Sequence, residues 1–171
     1  NNFLSSSYEL KSNSDCEVII HLYKLFGIQR TCQLLDGVFS FVLYDSFKGI
    51  VFVARDPYGV RPLFIGKTDD NEYFFSSEMK AIHDKCSTVK QFDTGSYLEY
   101  THDNFTVNKF HELKNRNLYG KNFINEIFTS ISNLLIKSVD KRLLSDRPIG
   151  ALLSGGLDSS LICGIISKLY K

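Results

Sequence analysis

The rhythm of hydrophobic positions changes twice along this chain, and the changes divide it. Val18, Ile19, Leu22, Leu25 and Phe26 fall at helical spacing, which predicts a helix over residues 17–26 with Gly27 as its stop. From Val38 the period drops to two. Phe39, Phe41 and Leu43 alternate with Val38, Ser40, Val42 and Tyr44, directly after the turn-forming pair Asp36-Gly37. A strand over 38–44 follows, apolar on nearly both faces and therefore expected in a sheet covered on both sides. Ser46 to Gly49 reads as a tight turn into a second strand, Ile50 to Ala54. Further short strands are predicted at 63–66, 73–76, 96–100 and 105–110, separated by polar turn clusters such as Asp69-Asp70-Asn71. One short helix, 78–84, interrupts them. Strands at this close spacing, joined by turns, predict antiparallel sheets.

After His111 the pattern changes again. Residues 111–120 are polar, basic and weakly patterned, as in a linker. Ile124, Ile127, Phe128, Ile131, Leu134, Leu135 and Val139 then recur every three or four residues. They predict a long amphipathic helix that ends near Leu144-Ser145-Asp146, before Pro148. A short apolar strand, Ile149 to Leu153, runs into Ser154-Gly155-Gly156, and residues 158–170 read as another helix. Helix, strand, glycine turn and helix in that order open an α/β nucleotide-binding domain. The expected architecture is α+β followed by α/β. An antiparallel β-rich domain spans 1–110, a linker 111–120, and the start of a parallel α/β domain 121–171.

Composition narrows the function classes. At 171 residues, with 14 Phe and 9 Tyr, the chain has material for a sizeable core. A net charge of +1 gives no electrostatic reason to expect nucleic acid or an anionic membrane surface as partner. No apolar run approaches the ~18 residues needed to span a bilayer, and no charged-then-apolar leader opens the chain, so a cytoplasmic location is expected. The chain opens at Asn1 without a Met and stops inside an apolar-periodic stretch, as expected of an interior piece of a longer protein. Cys16, Cys32, Cys86 and Cys163 form no CxxC pair, and no histidines stand at metal-ligand spacing. Reduced thiols are expected rather than a zinc or redox site. His21, His83, His102 and His111 are isolated from one another and read as surface or structural residues.

The densest chemistry lies in Ser154-Gly155-Gly156-Leu157-Asp158-Ser159-Ser160. Adjacent glycines let a backbone approach a ligand closely. A turn between a strand end and a helix start gathers free N–H groups at the positive end of the helix dipole. Three serines add hydroxyls, and the whole suits an anion such as pyrophosphate. Asp158 would repel a bare phosphate, so it implies either a bridging Mg²⁺ or a helix-start role. The plainer reading of the same residues is a Gly-Gly turn followed by a capped helix. A Walker A loop and a dinucleotide GxGxxG are both absent.

This string resembles the pyrophosphate loop of the N-type ATP pyrophosphatases, and the longer stretch from Lys141 to Ser160 resembles the glutamine-hydrolysing asparagine synthetases. The resemblance implies that ATP and Mg²⁺ are used, with Ser154, Gly155, Gly156, Asp158, Ser159 and Ser160 on the pyrophosphate, Asp158 on the metal through it, and Leu152 against adenine. Three earlier segments resemble the later half of a class II (Ntn-type) glutamine amidotransferase domain. They are Ser14-Asp15-Cys16-Glu17-Val18, Leu35 to Asp45, and Ala54-Arg55-Asp56-Pro57-Tyr58-Gly59-Val60-Arg61-Pro62-Leu63, and Ser76 to Ala81 continues the series. Asp15 matches the acid that holds the α-amino group of glutamine, a role suited to a carboxylate facing an ammonium. Its place just before a helix also fits a cap. Arg55 and Asp56 are read as a structural turn, paired with each other or bonded to backbone.

The resemblance implies a ligase that amidates aspartate with ammonia from glutamine at the expense of ATP, giving asparagine, glutamate, AMP and pyrophosphate. Its partners are then small molecules (glutamine, aspartate and ATP), with a homodimer as candidate assembly. Two departures stand against activity of these 171 residues alone. Residue 1 is Asn where the class uses a nucleophilic Cys, and the class's Asn-Gly-Glu oxyanion segment is missing, so no glutaminase catalytic residue is present. A different adenylating amide synthetase of the same architecture, such as a β-lactam synthetase, is one alternative. A non-catalytic homologue that binds nucleotide or a partner is the other.

Overall fold

The period-two run after Asp36-Gly37 forms strand β1 (Ser40–Asp45), which turns into β2 (Ile50–Arg55) with Ser40 opposite Arg55 and Asp45 opposite Ile50. The computed structural model describes residues 11–12, 14–102, 104–112 and 124–170. They fall in two compact units, Asn1–Lys114 and Asn115–Lys171. In the first unit β3 (Phe64–Lys67), β4 (Tyr73–Ser76), β5 (Thr88–Gln91), β6 (Ser96–Tyr100) and β7 (Phe105–Lys109) complete two antiparallel sheets. One has the order β1-β2-β6-β7 and the other β4-β3-β5.

Alternation along β2 sets the layers. Phe52 and Ala54 point to one side, where they join Tyr97 with Ile28 and Cys32 of helix α1 (Glu17–Leu34). Val53 points to the other side and packs with Leu98, Leu63, Ile65 and Phe92, between the sheets. The four-stranded sheet is thus covered on both faces at β2 and β6, and full burial of one such apolar side chain is worth roughly 1.5–3 kcal/mol. Tyr73 stacks on Phe105 with ring centroids 4.4 Å apart, joining the second sheet to β7. On the helix side, Tyr23 donates to Asp45 Oδ2 at 2.6 Å and pins α1 to the first hairpin. Burial and that bond to the carboxylate push the Tyr23 phenol up to about 12.

Several expectations need correction. Gly27 breaks the helix (φ 74°, ψ 171°), yet helical turns resume and run to Leu34. Ile28, Thr31 and Cys32 are buried there, so tertiary packing sustains the second segment. The strand expected over 38–44 begins at Ser40, and only one of its faces is covered. Val42 is 56% and Tyr44 64% exposed, because β1 is an edge strand beyond the reach of the second sheet. The helix expected over 78–84 is instead two 3-10 turns, Met79–Ala81 and His83–Lys85, around the buried Ile82. So short a segment is below the length at which an α-helix sustains itself. Strand β5 was not foreseen, since Thr88-Val89-Lys90-Gln91 holds one apolar residue; its pairing comes from the backbone of β3. Most of the expected linker, from 113 onward, lies outside the described residues.

A buried pair of charges closes the loop between β2 and β3. Arg55 is 4% and Asp56 1% exposed. The Arg55 guanidinium donates to three carbonyls: Arg61 O at 2.9 Å, Phe92 O at 2.7 Å and Gly59 O at 2.9 Å. Asp56 Oδ1 accepts the N–H of Tyr58 at 3.0 Å and of Val60 at 3.1 Å, and Oδ2 accepts that of Arg61 at 3.0 Å. The two side chains serve backbone, as the turn reading expects. Gly59 makes this closure possible. Its φ is +64°, and a Cβ there would stand 2.9 Å from the Arg55 guanidinium carbon and 2.6 Å from the Thr94 methyl.

In the second unit α2 (Ile124–Lys141) and α3 (Leu157–Leu169) both form, with Val139 buried, and α2 ends at Lys141, short of the expected end near Leu144-Ser145-Asp146. The strand expected over 149–153 does not form. A parallel strand exists only through ladder bonds to a neighbour, and no described residue of this unit supplies one. Among the described residues no helix is long and apolar enough to cross a membrane.

The loop closure yields a stability prediction. Burial raises the Asp56 carboxyl, but the N–H groups of Arg61, Val60, Tyr58 and Gly59 outweigh it and hold it below its ordinary value. A carboxyl lowered in the folded state contributes stability that is complete above its unfolded pKa of about 4 and is lost as pH falls through the folded value. Asp56→Ala should therefore cost about 3 kcal/mol at pH 7, since it strands buried donors. The gap between wild type and Asp56→Asn should shrink below about pH 4. Urea unfolding followed by circular dichroism at both pH values checks this, and a gap independent of pH would contradict it.

Candidate functional site

The loop preceding α3 is built by a glycine that no other residue replaces without strain. Gly155 has φ +83°, and Gly156 (φ −76°, ψ 160°) is the N-cap of α3. No side chain caps this helix, so the first N–H groups of α3 lack intrahelical acceptors by the geometry of any helix start. Ser160 N–H already donates to Gly156 O at 3.0 Å. Positive helix-dipole potential and unpaired donors therefore coincide at Leu157, Asp158 and Ser159.

Two of the three serine hydroxyls are engaged within the loop. Ser159 Oγ donates to Gly156 O at 3.0 Å, and Ser154 and Ser159 hydroxyls lie 2.9 Å apart. With the Ser159 proton directed at the carbonyl, Ser154 is the donor of that second bond. These two side chains brace the loop across the glycines. Ser160 and Asp158 are exposed, and Leu152 is 95% exposed. Asp158 sits in the first turn of α3. Among the described residues no group of three or more His, Cys, Asp or Glu side chains could hold a metal. Asp158 stands there as a single carboxylate beside an uncapped helix start.

Asp15 belongs to the first unit. It is exposed at the start of α1, and its Oδ1 accepts a weak bond from Cys16 Sγ at 3.6 Å. The capping role open to it is not taken. Cys16 is the N-cap, and no side-chain bond closes the helix start.

The residue that organises this segment was missed. Glu17 Oε1 accepts Lys11 N–H at 2.8 Å, Oε2 accepts Ser12 N–H at 2.7 Å and the Ser12 hydroxyl, and His21 Nε2 lies 3.2 Å from Oε1. The signal was present as Ser14-x-x-Glu17, the form of a capping box. Glu17 instead reaches back to Lys11 and Ser12, while Ser14 Oγ accepts Cys16 N–H at 3.2 Å.

Comparison with known proteins extends both segments. The glutamine amidotransferase domain family matches residues 1–119, and the asparagine synthase family matches residues 130–171. The chain is similar to a protein of Schizosaccharomyces pombe named probable asparagine synthetase [glutamine-hydrolyzing]. It is 39% identical over 168 residues, covering 96% of this chain and 29% of the relative. It is 38% identical to asparagine synthetase B [glutamine-hydrolyzing] of Escherichia coli (94% of this chain, 28% of the relative). It is 40% identical to the asparagine synthetase [glutamine-hydrolyzing] of Gallus gallus (96% and 33%). The chain thus spans about a third or less of the length of these relatives. Among solved structures, the allosteric regulatory enzyme of purine biosynthesis aligns with a TM-score of 0.58 at 25% identity, over 67% of this chain and 26% of that one. The glutamine phosphoribosylpyrophosphate amidotransferase of B. subtilis, solved with ADP and GMP, aligns with a TM-score of 0.57 at 20% identity, over 96% and 40%. The second likeness is one of fold alone.

The Glu17 cluster is directly measurable. Its hydrogen bonds from the Ser12 side chain and from the Lys11 backbone outweigh burial and lower the carboxyl to about 2. A carbon-detected NMR titration of Glu17 should be flat from pH 7 to pH 3. A midpoint near the ordinary glutamate value of about 4.3 would show that the cluster does not hold in solution.

Proposed function

The chain belongs to the glutamine amidotransferase domain family, and from that premise we propose that it forms part of a glutamine-dependent, ATP-consuming asparagine synthetase. The observation that carries the ATP half is the uncapped start of α3 directly after Gly155 at φ +83°. In this reading residues 1–110 are the later part of the amidotransferase domain, 111–120 the linker, and 121–171 the opening of the synthetase domain. Asparagine synthetase relatives along almost the whole chain favour aspartate as the acceptor. Four free thiols are in keeping with a cytoplasmic setting.

The chemistry follows from what a carboxylate lacks. Its carbon is a poor electrophile, so the side-chain oxygen of aspartate first attacks the α-phosphorus of ATP, and pyrophosphate leaves. Ammonia released from glutamine then attacks the acyl carbon, and AMP departs with one carboxylate oxygen. Charge gathers on the leaving pyrophosphate in the first step, where preorganised donors do most for the rate. The backbone N–H groups after Gly155 and Gly156 would receive it, with Ser160 adding a hydroxyl and Ser154 and Ser159 holding the loop shape. Asp158 would hold Mg²⁺, which neutralises phosphate charge when bound. Leu152 would supply an apolar contact for adenine. Asp15 would take the α-ammonium of glutamine in the other half-reaction.

The test is Asp158→Ala in the full-length protein, assayed for aspartate-dependent pyrophosphate release with ammonia as nitrogen donor. The variant should release pyrophosphate roughly a hundredfold more slowly or worse, with glutamine hydrolysis retained. Near-wild-type pyrophosphate release would reduce Asp158 to a helix-start residue and remove the catalytic reading of the loop.

A further inference from the structure

The segment carrying Asp15 is closed on itself by one side chain. The Glu17 carboxylate holds Lys11 N–H, Ser12 N–H and the Ser12 hydroxyl. Ser12 Oγ in turn accepts Ser14 N–H at 3.3 Å, Ser14 Oγ accepts Cys16 N–H at 3.2 Å, and Glu17 N–H returns to Ser14 O at 3.3 Å. Asp15 is one of the two central residues of the turn that this last bond closes. Asp15 itself contributes none of these bonds beyond its weak contact with the Cys16 thiol. A carboxylate meant for a ligand is best held this way, fixed through its backbone while its oxygens stay available.

We infer that Glu17 is a positioning residue for glutamine, fixing the Ser14–Glu17 turn so that Asp15 meets the substrate α-ammonium. The inference rests on the reading of Asp15 as the ammonium partner and adds a residue to that site. Its physical content is preorganisation: the bound ammonium gains a charge-assisted bond without the turn having to order at that moment. Glu17 suits the task because it gathers several donors at once, which an amide cannot do to the same extent. Glutamine at position 17 would offer one acceptor oxygen, so either Lys11 or Ser12 would lose its partner.

The discriminating experiment uses the full-length protein and two substrates, glutamine and 4-carbamoylbutanoate, which is glutamine without its α-amino group. Ammonia-dependent asparagine formation bypasses glutamine and reports that each variant is folded. Glu17→Ala should raise the glutamine KM about tenfold with little change in kcat, and should move the KM of the deamino compound by less than about twofold. Glu17→Gln should fall between Glu17→Ala and wild type, and Asp15→Asn should reduce discrimination between the two substrates at least as far as Glu17→Ala does. An equal loss for both substrates in the Glu17 variants would show a merely structural role and overturn the inference. So would unchanged discrimination in those variants while Asp15→Asn loses it, and there the Asp15 reading would survive. Unchanged discrimination in Asp15→Asn would instead remove the ammonium role of Asp15, and the Glu17 inference with it. Should Glu17→Ala lose ammonia-dependent synthesis as well, Glu17→Gln decides by the same ratio.

Discussion

The first unit depends on two buried charges that never neutralise each other directly. Arg55 at the end of β2 donates only to carbonyls, and Asp56 accepts only from N–H groups. Each supplies what a tight loop leaves unsatisfied. An isolated buried charge is very costly, and a chain reversal inside a core leaves unpaired backbone groups that are costly too. Here each problem answers the other. Phe92 O is held from 37 residues away in sequence, and Gly95 N–H and Gly59 N–H both bond to Asp56 O. One node therefore ties the end of β2, the loop into β3 and the approach to β6. The layering of α1, sheet and sheet has the form of an Ntn-type amidotransferase, and it requires that the chain pass between its sheets at this point.

The glycine loop works by the opposite logic. The N–H groups at its helix start are left without a capping side chain, and that is what makes it a candidate receptor. Bracing comes from the Ser154 and Ser159 hydroxyls, while the N–H groups at the start of α3 have no internal partner. A Gly-Gly turn alone would read as a corner. An uncapped helix start beyond a left-handed glycine reads as a place prepared for charge.

How far the sequence could be read depended on the range of the interaction that decided each element. Strand β2 and its partners were legible because apolar alternation and turn residues are local signals. The Arg55-Asp56-Pro57-Tyr58-Gly59 turn was legible as a turn, but its bond to Phe92 was not. Strand β5 carries no pattern of its own and exists because β3 offers it an edge. The converse held at 149–153, where an apolar run predicted a strand and no described neighbour pairs with it. Gly27 was read correctly as a break and wrongly as an end, since Ile28 and Cys32 are drawn into the core beyond it. In the candidate site the loop 154–160 was visible as a motif. The part played by Glu17 was not, because its carboxylate reaches backward past the expected cap to Lys11 and Ser12.

In the proposed function, aspartate is activated by transfer of AMP to its side-chain carboxylate, with the glycine loop holding the departing pyrophosphate. Oxygen tracing tests this most directly. Aspartate labelled with ¹⁸O in its side-chain carboxylate should be converted by the full-length protein with ATP and ammonia, and the phosphorus products examined by ³¹P NMR. Adenylation of the side chain would leave one labelled oxygen in AMP and none in pyrophosphate. Unlabelled AMP, or label in inorganic phosphate, would mean that ATP is cleaved without adenylating the acceptor, and would contradict it.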